Sequence, residues 1–360
     1  MANNSNLGAA KAAKNDEFYT QYADIQKEVN AYLEYNPDTF RDKVVLLPCD
    51  DPEWSNFTKF FAQNFERLGL KRLISTSYAV ESKKYKDYQP TLFETESPLF
   101  DVDKTRIKGK IFELTHDTNQ NGRIDIDDLE WHYLEGDGDF RSKEVCKLRD
   151  EADIIVTNPP FSLFREFLAW IFEANKGLLI LGHMNAIHYK EVFPVIQVNK
   201  VWLGVSNGAK QYAKPEGGLQ KMGNTCWFTN IDHGRRHEPL KLMSMKDNIR
   251  FGKHRDIQKR GYYYHYENFD AIDVPYTDAI PSDFDGIMGV PTTFLDKYCP
   301  EQFAIVGCAE GDSGKELGLK PYPRELKKLN KSLRDGQLYY IDENGIPQKP
   351  YARILIRKKQ

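Results

Sequence analysis

Residues 152–161, Ala152-Asp153-Ile154-Ile155-Val156-Thr157-Asn158-Pro159-Pro160-Phe161, decide the fold of this chain. The run Ile154–Val156 is short, apolar and β-branched, which is typical of a buried strand in a parallel sheet. Pro159 and Pro160 fix φ and lack an N–H, so they predict a rigid turn whose carbonyls remain available as acceptors. Apolar residues then recur at helical spacing over residues 162–172. Strand, rigid turn and helix predict an open α/β sheet, where ligands bind at strand ends.

The turn carries groups suited to an exocyclic NH2. The side-chain oxygen of Asn158 and a prolyl carbonyl can each accept one of its N–H groups, and Phe161 offers a flat face for stacking. Two such acceptors draw the amine nitrogen towards sp3 geometry and make its lone pair nucleophilic. A base inside a duplex cannot reach such a site unless it is flipped out. The pattern favours an amino-methyltransferase over the alternative, an ordinary turn that ends a strand.

A β-α-β unit precedes this segment. Val44–Leu47 reads as the first buried strand, and the acidic turn Pro48-Cys49-Asp50-Asp51-Pro52 follows it. Residues 57–68 have helical spacing and end at Gly69, a predicted C-cap, before a second strand over Leu73–Tyr78. This is the beginning of a Rossmann-like sheet, although the glycine-rich turn usual after the first strand is missing.

The chain resembles the EcoRI-type DNA adenine-N6 methyltransferase family, and the likeness extends through nearly its whole length. Asn158-Pro159-Pro160-Phe161 resembles motif IV of amino-methyltransferases. The other matching stretches are Asp16–Gln21, Leu47–Pro52, Ser55–Phe57, Glu135–Ser142, Thr157–Glu166, Trp202–Val205 and Gly286–Leu295. Their order, with the recognition region last, is the gamma-type order.

The resemblance implies an α/β, Rossmann-like class I S-adenosylmethionine-dependent methyltransferase with a C-terminal target-recognition region. The expected reaction moves a methyl group from S-adenosyl-L-methionine to the N6 amine of a flipped adenine in double-stranded DNA, at a specific site. The expected partners are duplex DNA and a cognate restriction endonuclease, and the protein is expected to be a monomer.

The resemblance also implies site residues. The catalytic set is Asn158, Pro159, Pro160 and Phe161. The cofactor-binding set is Tyr19, Thr20, Gln21, Cys49, Asp50, Asp51, Asp139, Phe140 and Asn158. Each cofactor segment has a structural alternative: Thr20 as a helix cap, the Asp50–Asp51 carboxylates as caps of the next helix, and Asp137-Gly138-Asp139 as a tight turn.

Other functions would use related residues. Cytosine-N4 transfer keeps an amine target but favours Ser in place of Asn158, and protein glutamine methylation uses a similar Asn-Pro-Pro turn. Cytosine-C5 chemistry needs a nucleophilic Cys; Pro48-Cys49 offers one, but on the predicted cofactor strand. From a different class, the chain could be a non-catalytic DNA-binding or calcium-binding module. The basic C-terminal region favours a DNA substrate.

Charge is distributed unevenly along the 360 residues, although the formal net charge is only −3. Residues 111–160 carry 13 acidic and 5 basic side chains, whereas residues 200–260 carry 5 acidic and 13 basic ones. We therefore predict a disordered tail (1–14), a catalytic domain (15–232) and a target-recognition and C-terminal region (233–360). The candidate phosphate-binding residues are Lys210, Lys214, Lys221, Arg235, Arg236, Lys253 and Arg255.

An EF-hand-like spacing lies within the acidic part. Asp117, Asn119, Asn121 and Asp128 occupy positions one, three, five and twelve of a calcium loop. The twelfth ligand is Asp rather than Glu, and Lys110–Leu114 before the loop reads as a strand. The default prediction is a polar hairpin loop between two strands, with no metal in methyl transfer.

The remaining composition excludes several classes. Five widely spaced cysteines lack a Cys-x-x-Cys pair, which argues against a zinc site or a disulfide framework. The first 14 residues lack the apolar core of a secretory signal, and no run is apolar enough for a membrane span. We expect a soluble cytoplasmic protein.

Overall fold

The computed structural model describes residues 19–50, 55–79, 97–213 and 218–359. They divide into two compact units. The first unit holds the described residues up to Ala186 together with Leu203–His233, and the second holds Ile187–Trp202 and the chain from Gly234 onward. Residues 187–202 thus join the second unit, although the sequence placed them in one continuous domain. The predicted tail lies outside the described residues.

A ten-stranded sheet forms the centre of the first unit. Its strands are β1 (Tyr19–Thr20), β2 (Val44–Leu47), β3 (Arg72–Ser77), β4 (Lys110–Leu114), β5 (Glu130–Tyr133), β6 (Ile154–Thr157), β7 (Gly177–His183), β8 (Trp202–Leu203), β9 (Gly208–Ala213) and β10 (Leu219–Thr229). The order is β1-β9-β10-β7-β6-β2-β3-β4-β5, and β8 pairs with β10. The inner strands β7, β6, β2 and β3 run parallel. This is the mixed α/β architecture that the sequence predicted.

Six helices belong to this unit in its described residues. They are α1 (Tyr22–Tyr35), α2 (Asn56–Gln63), α3 (Phe65–Leu68), α4 (Val102–Ile107), α5 (Lys143–Glu151) and α6 (Phe164–Glu173). The sequence predicted one helix over residues 57–68, but Asn64 separates two. The Asn64 side chain donates to the Phe60 carbonyl at 2.8 Å and so competes with the regular helix ladder. Gly69 ends α3 at φ 65°, as predicted.

The order in which successive strands are added to the sheet reverses between β2 and β6, although these two strands run parallel. From β2 it passes to the neighbouring β3, whereas β6, on the other side of β2, leads to β7. In open α/β sheets the crevice at such a switch point, beyond the carboxyl ends of the strands, is where ligands bind. The two ends that meet there carry Pro48-Cys49-Asp50 and Asn158-Pro159-Pro160.

Strand β9 pairs antiparallel with the first half of β10, although the sequence of both is largely polar. The burial in β9 alternates as expected of a strand: Lys210 and Tyr212 are buried, and Gln211 between them is exposed. The ammonium group of Lys210 lies 3.7 Å from the Asp24 carboxylate of α1. Because a lysine occupies an inward position, the period-two pattern is not visible in hydrophobicity alone.

Glu28 of α1 ties the N-terminal helix to the chain after β8. Its fully buried carboxylate accepts the backbone N–H groups of Val205 and Ser206 at 2.8 and 2.6 Å. A Cβ atom at Gly204 would lie 2.1 Å from the Glu28 Oε1 atom, so only glycine allows this approach. The glycine of the Trp202–Val205 stretch therefore has a packing role.

The second unit contains a smaller sheet. Its strands β11 (Ala271–Asp273), β12 (Ile287–Pro291), β13 (Phe303–Ala309) and β16 (Arg353–Lys358) are ordered β11-β12-β16-β13, while β14 (Tyr340–Ile341) and β15 (Pro347–Gln348) form a hairpin. The helices are α7 (Phe193–Gln197), α8 (Met245–Phe251), α9 (Arg255–Arg260) and α10 (Gly311–Glu316). Asp273 accepts from the Arg353 guanidinium at 3.0 Å and from the Tyr266 hydroxyl at 2.6 Å, both within its core.

Candidate active site

Asp50 joins the ends of β2 and β6. One oxygen of its buried carboxylate accepts from the Ser55 hydroxyl at 2.6 Å, and the other lies 2.5 Å from the Thr157 hydroxyl. Thr157 is the last residue of β6 and directly precedes Asn158. Its hydroxyl is also 2.9 Å from the Pro48 carbonyl oxygen. A buried carboxylate with good hydrogen-bond partners thus holds the two turns in a defined relation.

This network changes the interpretation of Asp50. The sequence suggested a cofactor contact or a helix cap, but the N-cap of α2 is Ser55, whose side chain accepts from Phe57 N at 3.1 Å. Asp50 supports that cap instead, and both of its carboxylate oxygens already accept internal hydrogen bonds. We assign Asp50 a positioning role. Asp51, its alternative, lies outside the described residues.

The Asn158 turn follows β6 directly, where the sequence predicted a turn. Pro159 is buried and Asn158 is partly buried, with its side-chain oxygen enclosed. The Pro160 carbonyl accepts from Leu163 N at 2.9 Å and closes the 3-10 turn Phe161–Leu163 that leads into α6. The position of the Phe161 ring is outside what the structure describes, so its stacking role stays a prediction.

The predicted motif X segment lies against the helix that follows the acidic turn. Tyr19 and Thr20 form β1, which pairs with β9. The Thr20 carbonyl accepts from the Asn56 side chain of α2 at 2.7 Å. Gln21, not Thr20, is the N-cap of α1, which removes the capping alternative for Thr20. The Thr20 hydroxyl is buried without a hydrogen-bond partner among the described residues.

The Asp137–Phe140 loop lies across the carboxyl end of β3. Ala79 N donates to the Asp137 carbonyl at 2.8 Å. Gly138 has φ +86°, and a Cβ atom there would lie 2.3 Å from the Ser77 carbonyl oxygen. Both the left-handed backbone and the close approach require glycine. Gly138 therefore lets the loop place Asp139 near the carboxyl end of β3, next to the carboxyl end of β2 that is followed by Cys49.

Asp139 and Phe140, both predicted to bind the cofactor, already contact other side chains. Asp139 accepts from the Arg141 guanidinium at 2.6 and 2.9 Å, and Arg141 also reaches Glu166 of α6 at 2.9 Å. Phe140 is fully buried, and its ring contacts Phe167 and Trp170 edge-on. Phe140 is therefore a core residue that anchors the loop, and its ring offers no exposed face.

Tyr78 is a site residue that the sequence analysis did not single out. Its hydroxyl accepts from Phe140 N at 3.5 Å and hydrogen-bonds with Cys49. Burial, followed by the neighbouring Cys49 and Asp139, raises the pKa of Tyr78 well above its ordinary value, so the hydroxyl stays neutral. Cys49 has φ +73°, which is unusual for a non-glycine residue. The sequence could have indicated Tyr78 through its place at the end of the second predicted strand, where ligand-binding residues are expected.

The EF-hand-like segment is a polar loop between β4 and β5, which pair antiparallel as predicted. Its acceptors bind its own backbone: Asp117 accepts from Gly122 N at 2.7 Å, and the buried Asp128 accepts from Thr118, Asn119 and Asp125 N. Burial alone would raise the pKa of Asp128, but these hydrogen bonds hold the pKa below its usual value. Within the described ranges, no cluster of three or more His, Cys, Asp or Glu side chains is arranged to hold a metal ion.

Replacing Asp128 with alanine is expected to destabilise the first unit by about 2–4 kcal/mol, because the loop loses the buried charged acceptor of hydrogen bonds from Thr118, Asn119 and Asp125. The melting temperature and protease cleavage within residues 117–128 measure this. Asp127→Ala is the matched control, since Asp127 is exposed on the same turn. Folding lowers the pKa of Asp128. The difference in stability between the wild-type protein and Asp128→Ala should therefore be complete at neutral pH and shrink as the pH falls through the folded-state pKa. Equal melting of both variants would contradict this role.

Chelation of calcium is expected to leave methylation unchanged, because the loop's carboxylates already accept from backbone N–H groups. The measurement compares initial rates in EGTA and in added Ca²⁺. A loss of more than about tenfold in EGTA that Ca²⁺ restores would instead identify a calcium-dependent loop.

The predicted phosphate-binding residues separate into two groups. Lys210 is buried in its ion pair with Asp24, and Arg236 is buried against the Trp202 ring at 3.6 Å. Neither is available to phosphate, and this corrects both assignments: a basic residue in a polar stretch was mistaken for a surface residue. Arg235 lies in an ion pair with Asp296 at 2.5 Å.

The other candidates are exposed. Lys221 lies on β10, Arg255 begins α9, and Lys253 is three-quarters exposed beside Asp278. Lys214 lies outside the described residues.

In the part of the chain that the structure describes, no helix has the length and hydropathy needed to cross a membrane.

Comparisons with known proteins identify the family of the chain. The profile of the family described as "Adenine-specific methyltransferase EcoRI" matches residues 6–359. The type II methyltransferase M.EcoRI of Escherichia coli is 40% identical over 92% of this chain and 98% of its own length. M.MpnI of Mycoplasma pneumoniae is 32% identical over 98% and 97%, and M.MgeORF184P of Mycoplasma genitalium is 31% identical over 98% of both chains. No solved structure matches significantly. The chain belongs to the EcoRI family of adenine-specific methyltransferases.

Proposed function

We propose that this protein transfers a methyl group from S-adenosyl-L-methionine to the N6 amine of an adenine flipped out of duplex DNA, at a specific sequence. The observation that carries the proposal is the meeting of two turns at the switch point of the sheet, locked together through Asp50 and Thr157. Membership of an adenine-specific methyltransferase family supports the target atom.

On the acceptor side, Asn158 and Pro159 orient the amine. Because the Pro160 carbonyl is used to close the following turn, Pro159 is the prolyl acceptor that we assign. The Asn158 side-chain oxygen takes the second N–H. Together they hold the nitrogen with its lone pair exposed, and neither side chain forms a covalent intermediate. Phe161 would stack on the base.

On the donor side, the residues fit a nucleoside-type methyl donor. The buried Thr20 hydroxyl lacks a hydrogen-bond partner among the described residues, as expected of a group that faces a ligand. Tyr19, Thr20, Gln21 and Cys49 would hold the donor, which supplies an electrophilic methyl group when bound. Asp139 would also contact it, because its side chain, unlike that of Asp50, stays 25% exposed beside Arg141. Asp50 and Phe140 would position Cys49 and Asp139 without contacting it.

Competing functions lose support. The family match and Asn158 favour adenine-N6 over cytosine-N4 chemistry. The family is not one of glutamine methyltransferases, and its enzymatic description disfavours a module that only binds DNA or calcium. Cys49 hydrogen-bonds with Tyr78 beside the donor-side residues, so cytosine-C5 chemistry is not assigned to it.

The test is methylation of unmodified plasmid DNA by the purified full-length protein with methyl-labelled S-adenosylmethionine. Long-read sequencing then identifies the modified base. We expect N6-methyladenine in one recurring sequence context and in duplex DNA only. Label in cytosine, in protein, or in no product would reject the proposal.

We also propose that the protein acts as a monomer in the cytoplasm beside a nuclease of the same specificity. The type II names of the relatives support the pairing. Light scattering measures the mass in solution, and protection of methylated DNA from a candidate nuclease tests the pairing. A stable dimer would contradict the monomer.

A further inference from the structure

Two short helices of the second unit, α8 and α9, form a hairpin joined by Gly252–His254. Each helix buries one central residue. Asn248 of α8 donates to the Ala279 carbonyl at 3.3 Å, and Ile257 of α9 is almost fully buried. These two anchors fix which face of each helix is turned inward.

The opposite faces carry pairs of cations. Lys246 and Arg250 lie two residues before and after Asn248, and Arg255 and Lys259 lie in the same way around Ile257. Two residues correspond to about 200° of helix rotation, so each pair projects away from its anchor. All four side chains are exposed. We call this surface, made by Lys246, Arg250, Arg255 and Lys259, the basic hairpin.

Neighbouring carboxylates do not neutralise the basic hairpin. Asp247 accepts from the Ser244 hydroxyl at 2.7 Å, and Asp278 pairs with Lys253 and His254 in the connecting turn. Asp256, next to Arg255, hydrogen-bonds with Tyr276. Within the described residues, none of the four cations of the basic hairpin forms an ion pair within 4 Å of a carboxylate. An exposed surface with four unneutralised cations has the charge that a polyphosphate requires.

An exposed aromatic residue directly follows Arg250 in the sequence. Phe251, the last residue of α8, is 75% exposed. Nothing in the core of the unit explains a phenylalanine at this position. A large exposed ring suits contact with sugar and base edges while nearby cations hold phosphates.

We propose that the basic hairpin is a docking surface for duplex DNA, with its four cations on phosphates and Phe251 against the sugar and base edges. The proposal rests on the proposed function, since it names the surface that would hold the DNA substrate. Duplex DNA is favoured because the cations lie in two rows on two helices, whereas a single strand needs a row of stacking rings.

The test measures binding of a fluorescent 30-base-pair mixed-sequence duplex to the full-length protein across a salt series. Arg255→Ala/Lys259→Ala is expected to make the slope of log affinity against log salt shallower by about 1.8, as is Lys246→Ala/Arg250→Ala, because each removes two phosphate contacts. Phe251→Ala is expected to weaken binding roughly tenfold without changing the slope, and Phe251→Tyr to restore it.

Lys143→Ala/Lys147→Ala is the matched control. These two exposed lysines have the same spacing on α5 of the first unit, and their removal should leave the slope unchanged. A basic-hairpin variant with the slope and affinity of this control would overturn the inference, as would equal affinity of wild-type protein for single-stranded RNA. Melting temperatures confirm that each variant is folded.

The two proposals fail separately. If the wild-type protein methylates adenine while the basic-hairpin variants bind DNA as it does, only the docking surface is rejected. If the wild-type protein methylates no adenine, the proposed function is rejected. If the basic-hairpin variants methylate slowly at low DNA concentration but at the wild-type rate at saturating DNA, and calorimetry shows unchanged donor binding, their defect lies in DNA docking.

Discussion

Asn158→Ala is expected to lower the rate of methyl transfer by about 10²–10³-fold, the usual cost of removing one preorganised hydrogen-bonding group from an active site. The reason is that the side-chain oxygen is one of two acceptors that hold the amine, and the adjoining prolines keep it in place without rearrangement. The measurement is single-turnover transfer with saturating donor and DNA, so that binding defects do not enter.

The same variant should bind S-adenosylmethionine with nearly wild-type affinity by calorimetry and should melt at nearly the same temperature. Asn121→Ala, at an exposed position of the β4–β5 loop, is the control and should transfer methyl groups at the wild-type rate. Unchanged turnover by Asn158→Ala would reject the assigned role, and a loss of donor binding equal to the loss of rate would move Asn158 to the donor side.

Asp50→Ala is expected to lower both stability and activity. Its buried carboxylate is the acceptor for Ser55 and Thr157, so its removal leaves the buried Ser55 hydroxyl without this acceptor and Thr157 with only the Pro48 carbonyl, at a cost of about 1–3 kcal/mol. The two turns would lose their fixed relation, and we expect transfer to fall roughly 10–100-fold, since small misplacements of reacting groups have effects of this size.

A double-mutant cycle tests whether Asp50 acts through Thr157. Thr157→Val removes the hydroxyl at nearly constant volume, and its effect should be smaller in the Asp50→Ala background, with a coupling of about 1–2 kcal/mol. Asp42→Asn, at the exposed amino end of β2 with φ 59°, is the control and should leave stability and rate unchanged. Additive effects of the two substitutions would show that the link does not support the site.

Local sequence pattern was sufficient for much of the fold. The four apolar residues of β2 and the Ile154–Val156 run formed buried parallel strands, and the two prolines lie in the turn between β6 and α6. These elements follow from short-range causes: β-branching, fixed φ and helical spacing. The left-handed Gly69 that ends α3 belongs to the same class.

Other assignments needed side-chain partners distant in sequence. The sequence predicted Lys210 as a surface residue, but it forms a buried ion pair with Asp24, which lies 186 positions earlier in the chain. Phe140 looked like a ring available for stacking, but Phe167 and Trp170 enclose it. Polarity and aromaticity indicate what a side chain can bind, whereas the elements packed around it decide what it does bind.

Local sequence pattern determined an α/β fold with an Asn-Pro-Pro turn after a buried strand, because those features depend on neighbouring residues, and the likeness along the whole chain to the EcoRI family determined that it is a methyltransferase. Only the tertiary structure decided that Asp50 locks that turn to the end of β2, that Tyr78 joins the site, and which basic residues are exposed. Strand order and packing bring together residues more than a hundred positions apart, and no local pattern encodes which of their hydrogen bonds will form.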